Sequence, residues 1–218
     1  MFKAVVFDFD GTLADTKEDI TKAVQEALSD IGCVVDDHFV ERRIGLGGRL
    51  VIKEALEDNK ISYNDSLIEK LVARAVRARL KFLNGVKLFD GAFELLGALH
   101  NRIRIALATM SSRDAIDILL RERGLAKYFE VVISADEVMK PKPAPEIFLK
   151  CAEKLGLDPK DCVVVEDSVF GVQAAKAAGM RCIAVSSGAY TSEELRSKGS
   201  DLVVTSINDR EEILRFLF

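Results

Sequence analysis

Short apolar runs recur along this 218-residue chain, and longer stretches with helical periodicity separate them. The runs are rich in valine and isoleucine and are too short to be helices, so we interpret them as buried strands. They are Lys3–Phe7, Ile103–Ala108, Val131–Ser134, Cys162–Val165, Cys182–Val185 and Leu202–Val204. Strands that alternate with helices predict an α/β fold, in which a mostly parallel sheet carries helices on both faces.

One region departs from this alternation. From about residue 14 to residue 85 the sequence shows helical patterns and no strand signal. One apolar face, for example, consists of Ile20, Val24, Ala27, Leu28 and Ile31 at helical spacing. This is more helix than a crossover between parallel strands requires. We therefore predict an all-helical domain at 14–85, inserted into an α/β core of 1–13 and 86–218, with linkers near Leu13–Thr16 and Asn84–Lys87.

Two carboxylates follow the first apolar run. Asp8 and Asp10 lie two residues apart, so in extended chain both side chains point to the same side. Carboxylates held this close repel each other unless a cation lies between them or one binds a proton. Gly11 permits a tight turn, and Thr12 is expected to cap the helix that follows. The pattern indicates a metal and phosphate site at the carboxyl end of a strand, although an Asp-Gly turn alone would be ordinary.

The second predicted strand also ends in polar residues. Thr109, Met110 and Ser111 follow it, and a helix begins directly afterwards. A hydroxyl and free backbone amides at a helix N-terminus can bind an anion. A simple helix cap at Thr109 or Ser112 explains the same residues about equally well.

A proline-rich loop follows the third predicted strand. It reads Lys140-Pro141-Lys142-Pro143-Ala144-Pro145, and its three prolines restrict the backbone around the lysines. A lysine held in this way could neutralise phosphate charge and separate neighbouring carboxylates. Taken alone, the loop would be interpreted as an exposed Lys-Pro turn.

The fourth predicted strand ends in two adjacent acids, Glu166 and Asp167, which Ser168 follows. Carboxylate oxygens are ligands that suit Mg²⁺. A helix cap would account for Asp167 or Ser168, but it does not explain why two acids follow a run of apolar residues.

Composition excludes several other classes of protein. The formal net charge is −4, which gives no basic surface for nucleic acid, and no apolar run approaches the roughly 20 residues of a membrane helix. The chain enters its first strand without a charged leader, so we expect a cytoplasmic protein. The four cysteines and two histidines are scattered, which argues against a zinc site and favours reduced, buried thiols.

Taken together, the four polar segments resemble the four ordered motifs of the haloacid dehalogenase superfamily. The matching strings are Asp8-Phe9-Asp10-Gly11-Thr12, Thr109 at the second strand end, Lys142-Pro143-Ala144-Pro145-Glu146, and Glu166-Asp167-Ser168 with the Gly- and Ala-rich run after it. The resemblance implies a Rossmann-like core. A helical cap after the first motif resembles the subclass with phosphoglycolate phosphatases, β-phosphoglucomutases and sugar phosphatases.

The resemblance implies a role for each matching residue. Asp8 would be the nucleophile that becomes an aspartyl-phosphate, and Asp10 would be the general acid and base. Mg²⁺ would be held by Asp8, the backbone carbonyl of Asp10, and Asp167, with Glu166 as a further ligand or through water. Thr109 and the amides from Met110 onwards would bind phosphate. Lys142 would balance charge, and Lys140 is its substitute if the spacing differs.

The expected activity is a Mg²⁺-dependent phosphatase acting on a small phosphorylated metabolite. A dehalogenase of this superfamily lacks the second motif Asp, so Asp10 favours phosphate chemistry. A phosphosugar mutase is the alternative, but the β-phosphoglucomutases carry a histidine where this chain has Ile20. A non-catalytic binding module on the same fold is the third possibility, although every catalytic position is present.

One cationic residue of the predicted cap is a candidate for substrate contact. Arg49 follows the glycine-rich segment Ile44-Gly45-Leu46-Gly47-Gly48, and one interpretation is that it contacts the distal group of a substrate. An exposed arginine at a helix start is the simpler interpretation. The substrate itself and the oligomeric state are left open by the sequence.

Overall fold

A computed structural model describes residues 2–218 of the chain. Its strands are β1 Ala4–Phe7, β2 Ala14–Asp15, β3 Lys87–Leu88, β4 Arg104–Ala108, β5 Val131–Ile133, β6 Cys162–Glu166, β7 Arg181–Val185 and β8 Leu202–Val204. Its helices are α1 Lys17–Ser29, α2 Asp37–Glu41, α3 Gly48–Asp58, α4 Asp65–Arg79, α5 Ala92–Leu99, α6 Arg113–Glu122, α7 Glu146–Leu155, α8 Val169–Ala177, α9 Ser192–Ser197 and α10 Arg210–Leu217. None of the helices in residues 2–218 is both long enough and apolar enough to cross a membrane.

Six strands form one parallel sheet in the order β5-β4-β1-β6-β7-β8. The chain therefore moves outward from β1 in one direction through β4 and β5, and in the other through β6, β7 and β8. Open parallel sheets bind ligands at the carboxyl ends of their strands, at the point where the strand order reverses. In this sheet that point is β1, the strand that precedes Asp8 and Asp10.

Helices cover both faces of the sheet. Val5 and Phe7 of β1 belong to a hydrophobic cluster shared with α5, α6 and α10, whereas Ala4 and Val6 belong to one shared with α7, α8 and α9. Because both faces are buried, the strand sequence is continuously apolar rather than alternating. The predicted α/β fold with helices on both faces is confirmed.

The six predicted strands agree with the structure to within one residue at each end. The sequence pattern predicts seven helices, over residues 20–31, 50–56, 67–82, 92–100, 113–123 and 209–217 and in the segment that ends near residue 179, and the structure adds three. Two of them, α2 and α9, have only five and six residues, too few for a periodic pattern to be visible. The third, α7, begins directly after the proline-rich loop.

Helices α1 to α4 lie between β2 and β3 and pack around their own hydrophobic cluster, which includes Leu28, Ile52, Leu56 and Leu71. We call residues 16–86, between these two strands, the helical insert. Its two ends are joined, because β2 and β3 pair as an antiparallel ribbon with Ala14 opposite Leu88 and Asp15 opposite Lys87. The expectation of no strand from residue 14 onward is therefore wrong for β2, whose two residues are too few to show a period.

The insert touches the core through Arg42. Its guanidinium donates to the Ala189 carbonyl at 3.0 Å and to Glu194 Oε1 at 2.7 Å, and it lies 4.1 Å from the centre of the Tyr190 ring. The Tyr190 hydroxyl donates back to the Arg42 carbonyl. Cationic, aromatic and backbone groups thus hold one side of the insert to the core.

This contact gives a prediction about pH. The hydrogen bonds from Arg42, with the Thr191 amide, lower the pKa of Glu194 from 4.5 to about 2. Because the pKa is lower in the folded state, the contribution of Glu194 to stability is present in full above about pH 4.5 and is lost as the pH falls toward 2. Glu194→Gln should therefore lower the free energy of unfolding at pH 7 slightly, since the pair is partly exposed. Urea unfolding measures the free energy of unfolding of both proteins, and the difference between the two values should narrow between pH 4.5 and pH 3. A difference that stays constant over this range would contradict this account.

Candidate active site

Buried polar side chains converge at the carboxyl edge of the sheet, where β1, β4 and β6 end. No member of this group is more than 7% exposed: Asp8, Asp10, Thr109, Ser111, Glu166 and Asp167. Lys142, from the loop before α7, is completely buried among them. Charged groups are rarely buried unless they are paired or functional, so this edge is the candidate active site.

Lys142 joins two of these acids. Its Nζ lies 2.6 Å from Asp8 Oδ1 and 2.7 Å from Glu166 Oε1. Burial alone would lower the pKa of this ammonium, but the charges of Asp8 and Glu166 outweigh burial and raise it, so Lys142 stays charged. The other lysine of the loop, Lys140, is exposed, and its backbone amide donates to Glu146. Lys142 is therefore the lysine that reaches the site.

Both carboxylate oxygens of Glu166 have partners. Oε1 accepts from Lys142, and Oε2 accepts from the Ser168 amide at 2.6 Å and from its hydroxyl at 2.9 Å. The Ser168 hydroxyl also accepts from the Gly171 amide and so caps α8. In this arrangement Glu166 orients Lys142 through Oε1 and is itself held by Ser168 through Oε2.

Asp8 and Asp167 each keep one oxygen free. Asp8 Oδ1 accepts from Lys142, and Asp167 Oδ1 accepts from the Thr12 hydroxyl at 3.1 Å; neither Oδ2 accepts a hydrogen bond from residues 2–218. Thr12 thus holds Asp167, and the expectation that it caps a helix is wrong. Burial raises the pKa of both carboxyls, and their negative neighbours, including Glu166, add to this. Two buried carboxylates with raised pKa values favour a bound cation.

The surroundings of Asp167 test whether a metal ion fits. The backbones of Gly11 and Gly188 lie directly against its carboxylate, and a Cβ at these positions would be 2.2 Å and 1.9 Å from Asp167 Oδ2. Only glycine leaves this oxygen accessible. In residues 2–218, no three Asp, Glu, His or Cys side chains form a ready metal site. Two carboxylates, a backbone carbonyl and water are the kind of oxygen set that Mg²⁺ uses, so the residues present fit this ion.

Asp10 is held by partners from both the core and the insert. Oδ2 accepts from the hydroxyls of Thr109 at 2.8 Å and Ser111 at 2.6 Å, and Oδ1 accepts from Arg79 Nη2 at 2.7 Å. Burial by itself would raise the pKa of Asp10, but the Arg79 charge and these hydrogen bonds outweigh it and lower the pKa. Asp10 is the point where the insert meets the site chemistry.

Arg79, Ser111 and Asp19 were not among the predicted site residues. Arg79 ends α4, is 7% exposed, and donates from Nε to Asp19 Oδ2 of α1 at 2.6 Å. Its Nη1 donates to the Ser111 hydroxyl. One signal was available in the sequence, because Arg79 lies four residues after Ala75 and therefore on the apolar face of α4. A charged side chain on a buried helix face needs an oppositely charged partner, and this requirement could have indicated a buried ion pair.

The structure also places the two remaining predicted residues, Arg49 and Met110. Arg49 is about half exposed, and its guanidinium pairs with Asp65 and Glu69 of α4 at 2.6 Å each. Arg49 therefore lies at the exposed start of α3, as the simpler interpretation expects, and its contact with substrate stays a prediction. Met110 follows Thr109 as expected, but its side chain lies against Gly47 of the insert, where a Cβ would be 2.8 Å from the methionine methyl.

Comparison with protein families supports the reading of these motifs. Residues 5–185 match the model of the haloacid dehalogenase-like hydrolases. Fructose-1-phosphate phosphatase of Escherichia coli is 34% identical over 187 residues, which cover 84% of this chain and 96% of that protein. Phosphoglycolate phosphatase 1 of Pseudomonas aeruginosa is 30% identical over 213 residues, covering 95% of this chain and 78% of the relative.

Solved structures agree with this assignment. A hydrolase from Pseudomonas syringae superposes with a TM-score of 0.90 at 27% identity, covering 99% of both chains. A β-phosphoglucomutase from Clostridium difficile superposes with a TM-score of 0.87 at 26% identity, covering 99% of this chain and 96% of the other. The buried acids at the switch point, the matched family model and these relatives lead to one conclusion: the chain is an enzyme of the haloacid dehalogenase-like hydrolase family.

Proposed function

We propose that this hydrolase is a Mg²⁺-dependent phosphatase for a small phosphorylated metabolite of the phosphoglycolate or sugar phosphate type, and that it acts through an aspartyl-phosphate on Asp8. The observation that carries the proposal is the state of the Asp8 carboxylate. It is buried, one oxygen is paired with Lys142 at 2.6 Å, and the other accepts no hydrogen bond from residues 2–218. The relatives named as phosphatases support the same reaction class.

Asp8 is the proposed nucleophile. Its free oxygen would attack phosphorus, which divides one difficult displacement into two easier ones. Lys142 holds the other oxygen and keeps the carboxylate oriented while two negative groups approach each other. Glu166, which binds Lys142 and Ser168, keeps the ammonium in place.

Asp10 is the proposed acid and base. It would give a proton to the leaving oxygen of the substrate and then take one from the water that hydrolyses the aspartyl-phosphate. Thr109 and Ser111, which now donate to Asp10, also lie just before α6. Their hydroxyls and the backbone amides from Met110 onwards are suited to hold the phosphate oxygens.

Asp8, Asp167 and the backbone carbonyl of Asp10 are the proposed ligands of Mg²⁺, with Glu166 as a further ligand or acting through a bound water. When bound, the ion supplies positive charge that lets the carboxylate and the phosphate approach and stabilises the transition state. Thr12 fixes the Asp167 carboxylate for this purpose, since its hydroxyl holds Oδ1 and leaves Oδ2 free.

The helical insert is proposed to act as a cap that closes over the site. Its contacts through Arg79 with Asp10, and through Arg42 with Glu194, are those of a closed arrangement. A closed cap excludes bulk water and strengthens the electrostatic interactions inside. The predicted division into a core of 1–13 and 86–218 and a cap of 14–85 remains part of this proposal.

A phosphosugar mutase is less well supported. The fold resembles that of a β-phosphoglucomutase. However, Ile20 occupies the position at which those mutases carry a histidine, and its side chain lines an apolar wall of the cavity beside Asp10. This wall offers no group that would handle a proton of a sugar hydroxyl.

Removal of Mg²⁺ is the first test. With Mg²⁺ present, phosphate release should be observed for a narrow set within a panel that contains phosphoglycolate and hexose 1- and 6-phosphates. Excess chelator should abolish release, and Mg²⁺ should restore it. Mg²⁺ should also raise the melting temperature. A ligand present at 100 times its Kd adds about 2.7 kcal/mol to the free energy of unfolding.

The same experiment separates the alternatives. Interconversion of sugar phosphates without phosphate release would favour the mutase. Release that is unchanged by chelator would contradict the proposed metal dependence. Binding of phosphate without turnover of any substrate would favour a non-catalytic module on this fold.

A further inference from the structure

Arg79 is shared between the insert and the core. Within the insert its Nε binds Asp19 Oδ2 at 2.6 Å, and across the interface its Nη2 binds Asp10 Oδ1 at 2.7 Å. The second Asp19 oxygen is buried and accepts no hydrogen bond from the described residues, so Arg79 is the partner on which the Asp19 carboxylate depends. Asp19 therefore anchors the guanidinium to the insert, whatever happens at Asp10.

A small cavity of about 80 Å³ lies beside this ion pair. Its polar lining includes Asp10, Arg79 and Ser111, whereas the wall from the insert is apolar and includes Ile20, Val24 and Val51. If Asp10 protonates the leaving oxygen, as the proposed function requires, the leaving group of the substrate lies in this cavity. The space suits a small leaving group, and the apolar wall provides no partners for the many hydroxyls of a sugar.

Asp10 Oδ1 accepts from Arg79 Nη2, and Oδ2 accepts from Thr109 and Ser111, so three of the roughly four acceptor positions of this carboxylate are filled. A leaving oxygen that approaches Oδ1 therefore meets the Arg79 guanidinium directly. Arg79 is buried, and a buried charge that loses one partner without replacement is costly. A carboxylate on the substrate is the group that replaces the Asp10 carboxylate charge for charge and in the same forked geometry.

We propose that Arg79, anchored by Asp19, selects the leaving group by exchanging its ion pair with Asp10 for a carboxylate carried next to the ester carbon of the substrate. This inference rests on the proposed phosphatase function. The substrate class is then a small phosphomonoester of a hydroxy acid. Arg79 touches the substrate and sets specificity, whereas Asp19 is a positioning residue that acts through Arg79.

A matched pair of substrates tests the inference on the unmodified enzyme. In 2-phosphoglycolate a carboxylate stands where 2-hydroxyethyl phosphate has a neutral alcohol, and the ester carbon is the same. With Mg²⁺ present, kcat/KM should favour phosphoglycolate by about 100-fold, as expected when a buried charge loses its partner. Equal kcat/KM values for the two substrates would overturn the inference while leaving the phosphatase proposal intact.

Variants then assign the preference to Arg79. Arg79→Gln should reduce it to less than about fivefold, and Arg79→Lys, which keeps the charge but not the fork, should give an intermediate value. Arg77→Gln is the matched control, because Arg77 is an exposed arginine of the same helix. If Arg79→Gln lowers kcat/KM by the same factor for both substrates, Arg79 only holds the insert closed. That result would overturn the inference.

Asp19→Asn tests the positioning role. It should raise KM for phosphoglycolate more than it lowers kcat, and it should change KM for hydroxyethyl phosphate little. Circular dichroism confirms that each variant is folded. If the unmodified enzyme releases no phosphate from either substrate, nor from p-nitrophenyl phosphate, the phosphatase proposal fails and this inference fails with it.

Discussion

Replacing Asp8 by asparagine is expected to lower kcat for phosphate release by at least about 10⁴-fold, since removal of a catalytic nucleophile can cost on the order of 10⁶-fold. An amide cannot attack phosphorus as a carboxylate does, whereas its size is the same. The fold should persist, because Lys142 keeps its ion pair with Glu166 at 2.7 Å. Steady-state phosphate release at saturating Mg²⁺ and circular dichroism measure the two effects.

Asp15→Asn serves as the matched control, since Asp15 is an exposed aspartate of β2 near the same turn. It should retain most of the activity. Rapid acid quenching of the unmodified enzyme should also give a phosphate adduct on the peptide that contains Asp8. An Asp8→Asn protein with more than about a tenth of the normal kcat would rule out the nucleophilic role, since such residues contribute several orders of magnitude.

The second large effect is expected at Lys142, where replacement by methionine should destabilise the fold as well as stop catalysis. The side chain is completely buried between Asp8 and Glu166. Methionine fills a similar volume but leaves two buried carboxylates without their cation, which costs about 3–5 kcal/mol in the free energy of unfolding. Urea unfolding in the presence of chelator measures this loss without a contribution from bound metal.

Lys140→Met is the control for Lys142→Met. Lys140 is exposed and lies two residues earlier in the same loop, so the free energy of unfolding should change by less than about 0.5 kcal/mol. A double variant, Lys142→Met with Glu166→Gln, should recover part of the stability, since one of the two unpaired charges is removed. Equal stability of Lys142→Met and the unmodified protein would mean that the ion pairs contribute nothing to the fold.

Much of the core could be predicted from sequence because its signals are local. A strand buried on both faces is an unbroken apolar run, and parallel strands place their carboxyl ends at one edge. Polar residues directly after such runs must then lie at the same edge of the sheet, as Asp8, Thr109 and Asp167 do. Lys142 was recognisable because prolines on either side restrict it.

The contacts between insert and core were harder to predict. Arg79 and Asp10 are 69 positions apart, and no local pattern states that they meet. Arg49 follows a glycine-rich turn that suggested function, but acids on a neighbouring helix hold it at the surface. The β2–β3 ribbon joins two-residue strands from distant segments, and its pairing depends on the packing of four helices. Such features arise from tertiary structure, which periodicity does not encode.

The ribbon has a further consequence for how this architecture can change. Ala14 lies opposite Leu88 and Asp15 opposite Lys87, so the chain leaves and re-enters the core at points about 5 Å apart. The entropic cost of closing a loop grows only with the logarithm of its length, so doubling the chain between these two ends would cost only about 0.6 kcal/mol. A helical bundle of different shape could therefore replace residues 16–86 without moving Asp8 or Lys142. Under the two proposals made above, leaving-group selectivity and phosphate chemistry are therefore encoded in separately exchangeable stretches of one chain.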